Sequence, residues 1–219
     1  MQESCDGLVG LPFTAAQFVD VFAQYNAAVW PAPVVLTALA ALCVLAMFTR
    51  LRWRGALISS VLAALWLWLA LAYHWAFFSR INPLAMAFAL FSAAGALLFL
   101  WHGVHRRRLH FRWQSRAMDW LGAALVGYAL LIYPVLNALS GHRYPGTPTF
   151  GLPCPTTLFT IGMLAWLEAP YPRSVLVVPI LWCLVGVQAA FLLDMPADLA
   201  LAPAALIALV LMAKPAVRA

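Results

Sequence analysis

The chain has 219 residues, of which 65% are apolar and only 9% are charged, and its net charge is +6. Soluble domains carry about a quarter charged residues, so this chain has too few polar side chains to cover a water-facing surface. The composition therefore excludes an ordinary soluble enzyme or nucleic-acid-binding domain. It predicts an all-α integral membrane protein with one transmembrane domain over residues 1–219.

The N-terminal residues 1–32 are predicted to form an external segment that contains an amphipathic helix. No basic stretch precedes an apolar core there, so no cleavable signal peptide is predicted. Thr14 and Gln17 have the spacing of a capping box, and apolar residues recur at helical spacing over residues 15–29. The helix is expected to lie in the outer interface and to end at Trp30-Pro31. The alternative is a polar extension of the first spanning helix.

Seven apolar runs follow and predict a bundle of seven transmembrane helices over residues 33–213, before a cytoplasmic tail at 214–219. Most runs reach the roughly 17 to 25 residues that a spanning helix needs, but the fifth and seventh are short. Six spans are the alternative if the fifth run does not cross. The runs are Pro33–Thr49, Gly55–Phe78, Pro83–His102, Met118–Leu139, Pro155–Ala169, Val175–Leu193 and Pro196–Ala213.

The basic residues predict the orientation of this bundle. With seven spans and an external N-terminus, every one of the 13 Lys and Arg residues except Arg80 and Arg143 falls on the cytoplasmic side. This is the asymmetry that the positive-inside rule describes. We therefore expect a multi-pass protein of the inner membrane with its C-terminus in the cytoplasm.

The loop before the fifth run is rich in proline and glycine and holds the candidate site. Pro155 suits the first position of a helix, which would make Cys154 the N-cap residue. The amides of Thr156 and Thr157 would then point at whatever lies above the helix, and a helix N-terminus favours anions and lowers the pKa of a nearby thiol. His142 and Arg143 lie on the same loop and could add positive charge.

These features predict an outward-facing ligand site for an anionic or polar solute, in a solute-binding or transporter-like protein. An alternative is a soft metal or thiol-redox site in which Cys154 acts with His74 or His142. The simpler interpretation is that these polar groups only cap helix ends and contact water. The candidate residues are Cys154, Thr156, Thr157, His142, Arg143 and His74. A disulfide between Cys5 and Cys154 is left open.

The cytoplasmic loop between the third and fourth runs is strongly basic, which suggests contact with anionic lipid headgroups. The alternative is that its charges only orient the chain. A structural subunit of a membrane complex and a homo-oligomer are also open. The basic residues are Arg106, Arg107, Arg108, Arg112 and Arg116.

No catalytic constellation and no cofactor is predicted. A haem held by two histidines needs them at equal depth, whereas His74 and His102 belong to opposite faces of the membrane. A retinal Schiff base needs a lysine in mid-membrane, and the only lysine, Lys214, lies at a helix end.

Three segments carry a family resemblance that covers nearly the whole chain. They are Leu11-Pro12-Phe13-Thr14, the stretch from Tyr25-Asn26 to Val29-Trp30-Pro31, and the motif from Phe150 to Gly162 with Pro-Cys-Pro-Thr-Thr at its centre. The sequence resembles a family of bacterial multi-pass membrane proteins catalogued as domain of unknown function 6064. The resemblance implies a bacterial inner-membrane protein and brings no activity, ligand or catalytic residue.

Overall fold

The computed structural model describes residues 12–214, and this part of the chain is helical, as the sequence predicts. The seven apolar runs each form one helix, α2 to α8, which follow the N-terminal α1. Their bounds are α1 Ala15–Val29, α2 Ala32–Met47, α3 Arg54–Arg80, α4 Ala85–His105, α5 Ala117–Leu139, α6 Pro153–Leu164, α7 Ser174–Leu192 and α8 Pro196–Ala213.

Five helices are long and apolar enough to cross a membrane, namely α3, α4, α5, α7 and α8. A sixth crossing is added if α1 and α2, which meet at an angle of 84°, are taken as one bent span. The predicted seventh crossing depends on α6, which has only 12 residues. Length and composition therefore support several spans without reaching the predicted seven.

The N-terminal helix begins where the sequence predicts. The Thr14 hydroxyl accepts a hydrogen bond from the Gln17 amide, and the Gln17 side chain accepts one from the Thr14 amide, so the capping box is present. The sharp bend after Trp30 separates α1 from α2, which excludes a straight extension of the first spanning helix. The interfacial position of α1 stays a prediction.

Three connections and the end of α8 meet at one end of the bundle, which we call the basic end. The Arg112 amide donates to the Trp166 carbonyl at 2.8 Å, and the Glu168 amide donates to the His110 carbonyl at 2.9 Å. The Arg173 guanidinium donates to the Lys214 carbonyl at 2.6 Å. The short link between α2 and α3 joins them, since Arg50, Arg52 and Arg54 border one pocket with His110 and Phe111.

The helix α6 lies inside the bundle and all of its residues except Cys154 are buried. It packs against α5, with Gly122 and Gly162 at the point of closest approach. Small residues let helix backbones come this close. The outer helices instead present apolar side chains to the surroundings, as shown by Leu90, Leu131 and Phe191, which are 72%, 70% and 72% exposed. Such a surface fits contact with lipid.

Candidate functional site

A tight turn leads the chain into α6 at the end of the bundle opposite the basic end. Gly151 has a φ of +100°, a conformation that glycine adopts without strain. An added Cβ there would also collide with the Leu36 side chain. The helix then starts at Pro153 with Leu152 as its N-cap residue, so the prediction that Cys154 is the N-cap is wrong. Pro153 suits the first helical position as well as Pro155 does, and the helix begins at the earlier of the two.

This start leaves few free amides for an anion. Pro153 and Pro155 have no N–H, the Leu152 amide donates to the Thr149 carbonyl, and the Thr156 amide donates to the Leu152 carbonyl at 3.2 Å. An anion site at a helix N-terminus depends on several unpaired amides. The expectation that the Thr156 amide is available to a ligand is therefore wrong.

A cavity of about 370 Å³ lies beside the first turn of α6. Its walls are mainly apolar and aromatic, with side chains from α1, α3, α4 and α7. Among these are Phe22, Tyr73, Phe88, Trp182 and Ala189. A volume in this range and a mainly apolar lining are typical of small-molecule pockets.

The N-terminal helix is fixed over this end of the bundle by Asn26. The Asn26 side chain donates to the carbonyls of Pro145 and Thr147 at 2.6 and 2.8 Å and accepts from the Thr149 hydroxyl at 2.7 Å. These bonds join α1 to the loop that precedes α6. Phe13, Phe18 and Phe22 are thereby held at the cavity wall.

The polar side of the cavity is formed around Asp198, and Asn82 and Gln188 are further polar side chains that line the cavity. The Tyr133 hydroxyl donates to a carboxylate oxygen of Asp198 at 2.6 Å, and Asp198 is only 5% exposed. Cys154 lies beside this carboxylate. The indole N–H of Trp182, which is also buried, has no nitrogen or oxygen partner and lies next to the Cys154 sulfur, a weak acceptor. Buried polar groups are usually paired, so an unpaired donor on a cavity wall suggests that a ligand supplies the partner.

Local helix geometry helps to place these groups. The α3 segment Leu69–Trp75 is π-helical and carries Tyr73, and the α5 segment Tyr128–Ile132 is π-helical and ends directly before Tyr133. Such segments recur at functional sites because the extra residue in the turn re-aims neighbouring side chains. Asp198 comes from the 3₁₀ turn Pro196–Ala200 that opens α8.

Of the six predicted site residues, one lines this cavity. Cys154 lines the cavity. His74 is fully buried and packs against the Trp182 ring with a centroid distance of 5.1 Å, but it does not border the cavity, and both ring nitrogens lack a partner. Thr156 and Thr157 are fully buried in α6, and their hydroxyls also lack partners.

His142 and Arg143 border a different cavity, of about 520 Å³, between the start of α2 and the loop before α6. Tyr133 and Pro148 line both cavities and lie between them. The sequence placed His142 and Arg143 near Cys154 because they share one loop. The loop instead carries them to the other side of Tyr133.

Three residues of the site were not among the predicted ones, namely Asp198, Tyr133 and Trp182. Asp198 had a usable signal, since an ionisable residue inside an apolar run is a functional candidate by default. The sequence analysis included it in the apolar run Pro196–Ala213 and gave it no role. Trp182 carried no comparable signal, because buried tryptophans are common packing residues.

A metal site is not assembled from these residues. Within residues 12–214, no three His, Cys, Asp or Glu side chains come close enough to hold an ion together. Cys5 lies outside the described residues, so its predicted pairing with Cys154 stays open.

The basic loop has internal partners for part of its charge. Arg116 forms an ion pair with Asp119 at 3.0 Å, and Arg112 lies 3.6 Å from Glu168. The Arg106 guanidinium stacks over the Trp101 ring at 5.6 Å. Neither Arg107 nor Arg108 takes part in a salt bridge within the described residues. Contact of this loop with anionic lipid stays a prediction.

An all-helical bundle with several helices able to cross a membrane defines the class as a multi-span helical membrane protein. The chain belongs to DUF6064, a family of unknown function, whose model matches residues 15–219. The resemblance seen in the sequence is thereby confirmed. No curated protein and no solved structure matches the chain.

Proposed function

We propose that this protein binds a small amphipathic molecule within the membrane, in the cavity beside Cys154. The observation that carries the proposal is the cavity itself, which joins an aromatic wall to a polar side formed by Asp198, Tyr133 and Trp182. An apolar molecule with one polar group would bury its apolar part against the aromatic side chains.

A packing defect is a poor explanation for this space. Protein interiors are close-packed, and a cavity costs free energy in proportion to its volume, about 24 cal/mol per Å³ in one mutant series. This cavity of about 370 Å³ is partly open to the surroundings, so the cost applies to those parts of it that nothing enters. A ligand or lipid that fills the space removes this cost.

The proposal is tested by filling the cavity with a side chain. Ala189→Trp places an indole at the cavity wall, whereas Ala41→Trp adds the same side chain on the exposed face of α2, away from the cavity. A linear alcohol that carries a photoreactive diazirine is added to the purified protein in uncharged detergent. We expect labelling of peptides from α1, α6 and α7 in the parent protein and in Ala41→Trp, and at least tenfold less labelling of those peptides in Ala189→Trp. Equal labelling of all three proteins would exclude the cavity as the binding site.

We also propose seven crossings of a bacterial inner membrane, with α2 to α8 as the spans and α1 in the outer interface. The support is that the connections after α2, α4 and α6 and the end of α8 meet at the basic end, as alternating crossings require. In this arrangement α6 crosses inside the protein, where it needs no contact with lipid. The positive-inside rule then places the basic end in the cytoplasm.

Reporter fusions test this topology. A fluorescent protein that folds only in the cytoplasm is expected to fluoresce when fused after Lys214, and alkaline phosphatase is expected to be active when fused after Leu139 at the opposite end. Phosphatase activity of a fusion after Lys214 would show that the orientation is reversed or that one crossing is absent.

A further inference from the structure

The polar side of the cavity has an acidic group without an opposite charge. Asp198 is 5% exposed, and the described residues that line the cavity include no Lys, Arg or His. A buried carboxylate is costly unless a cation or several hydrogen bonds compensate it. The structure supplies the Tyr133 hydroxyl at 2.6 Å and, beside it, the Cys154 thiol, which is a weak donor.

The groups that face Asp198 come from four helices. Tyr133 is on α5, Cys154 on α6, Trp182 on α7 and Tyr73 on α3, and none of these side chains is a cation. The buried His74 packs against the Trp182 ring but does not line the cavity, and neither of its ring nitrogens has a hydrogen-bond partner. A cationic ligand would supply the opposite charge that these side chains lack.

The surrounding surface favours a cation with an apolar body. The rings of Tyr73, Phe88 and Trp182 line the cavity, and aromatic faces attract ammonium groups, most strongly when water is excluded. The unpartnered Trp182 N–H is a donor and needs an acceptor atom.

We propose that the ligand is a lipophilic amine with a hydroxyl or ether oxygen close to its nitrogen. Its ammonium group binds Asp198, and its oxygen accepts a hydrogen bond from Trp182. Its apolar body contacts the phenylalanine side chains of α1 that line the cavity. This inference rests on the proposed function, because it identifies the molecule that the same cavity takes.

Other amphiphiles fit the cavity less well. A fatty-acid carboxylate would place a second negative charge beside Asp198. A phospholipid with an amine head brings a phosphate next to its nitrogen, and the residues that line the cavity offer no basic side chain to bind that phosphate. A free amphipathic amine meets neither obstacle.

The test is competition against the photoreactive alcohol in the purified full-length protein. The competitors share one alkyl chain and differ in the head, which is an alcohol, a carboxylate, an amine, an amino alcohol or a lysophosphatidylethanolamine. We expect the amine to compete about tenfold more strongly than the alcohol, since a hydrogen-bonded charge contributes about 1.5–3 kcal/mol. The amino alcohol is expected to compete best, and the carboxylate and the phospholipid worst.

Two variants assign these preferences to residues. Asp198→Asn is expected to remove the advantage of the amine over the alcohol while the alcohol still labels the cavity. Trp182→Phe is expected to remove only the advantage of the amino alcohol over the plain amine. This second variant keeps the test decisive if Asp198→Asn fails to fold.

The outcomes separate this inference from the proposed function. Labelling by the alcohol that Ala189→Trp blocks, with equal competition by amine and carboxylate, would overturn the amine and leave the binding site in place. Competition by lysophosphatidylethanolamine equal to that of the amino alcohol would overturn a free amine and assign the site to a lipid headgroup. If the alcohol does not label the cavity of the parent protein at all, both the inferred amine and the proposed binding function are wrong.

Discussion

The two halves of α6 differ in the hydrogen bonding of their polar side chains. In the half near the basic end, the Thr160 hydroxyl donates to the Thr156 carbonyl at 2.7 Å and accepts from the Trp66 indole at 3.1 Å. Just beyond this half, the Trp166 indole donates to the Asp119 carbonyl at 2.9 Å. In the half beside the cavity, the hydroxyls of Thr156 and Thr157 have no partner.

The helices around α6 show the same division. Backbones approach closely at Gly122 and Gly162 in one half, whereas a cavity of about 370 Å³ separates side chains in the other. Unpaired buried polar groups are costly and rare in stable proteins. Within α6 the unpaired hydroxyls lie in the half beside the cavity, which supports a role of this half in binding, whereas the packed half stabilises the fold.

The largest expected effect is at the close approach of α5 and α6. A Cβ on Gly162 would lie 2.8 Å from the Gly122 carbonyl oxygen and 3.0 Å from the Val126 amide nitrogen. These are backbone atoms, so the helices themselves would have to separate. We expect Gly162→Ala to lower the free energy of unfolding by about 3 kcal/mol, at the upper end of ordinary overpacking. The measurement is the unfolding midpoint in detergent.

Gly127→Ala is the matched control for this variant. Gly127 lies on α5, the helix that Gly162 of α6 approaches, but an added Cβ there meets no atom within 4 Å. Since alanine favours a helix over glycine, we expect this variant to be neutral or more stable by up to about 1 kcal/mol. Equal destabilisation by both variants would show that the close approach is not what holds α6 in place.

The sequence predicts the helices well because apolar runs and caps are local signals. Thr14 and Gln17 begin α1 as expected, and each apolar run becomes a helix. The predicted start of α6 was two residues too late, because Pro153 and Pro155 both suit the first position of a helix. Local patterns cannot choose between them.

The site is less predictable because it depends on contacts between distant segments. Tyr133 and Asp198 meet across two helices, and neither residue signals the other. Conversely, His142 and Arg143 share a loop with Cys154 and still border another cavity. From their closeness in sequence, these residues were predicted to lie at the same end of the bundle, which is correct. They were also predicted to share one site with Cys154, which is wrong.

A middle-sized effect is expected at Trp166, in the packed half. Trp166→Phe removes the indole N–H and leaves the Asp119 carbonyl without that donor. The lost hydrogen bond is expected to cost about 1 kcal/mol, in addition to the cost of the smaller ring. Thermal unfolding of the purified variant measures this change, and a midpoint equal to that of the parent protein would contradict it.

The smallest effect is expected at Trp182, which borders the cavity. Trp182→Phe makes the same change in side-chain size as Trp166→Phe, but its indole N–H has no partner to lose. In ligand-free detergent we therefore expect Trp182→Phe to be less destabilising than Trp166→Phe by about 1 kcal/mol, the contribution of one hydrogen bond. Equal costs for the two variants would mean that the Trp182 indole is bonded in the free protein. The Trp182 N–H would then not be available to a ligand in the cavity. The contrast in hydrogen bonding between the two halves of α6 would disappear.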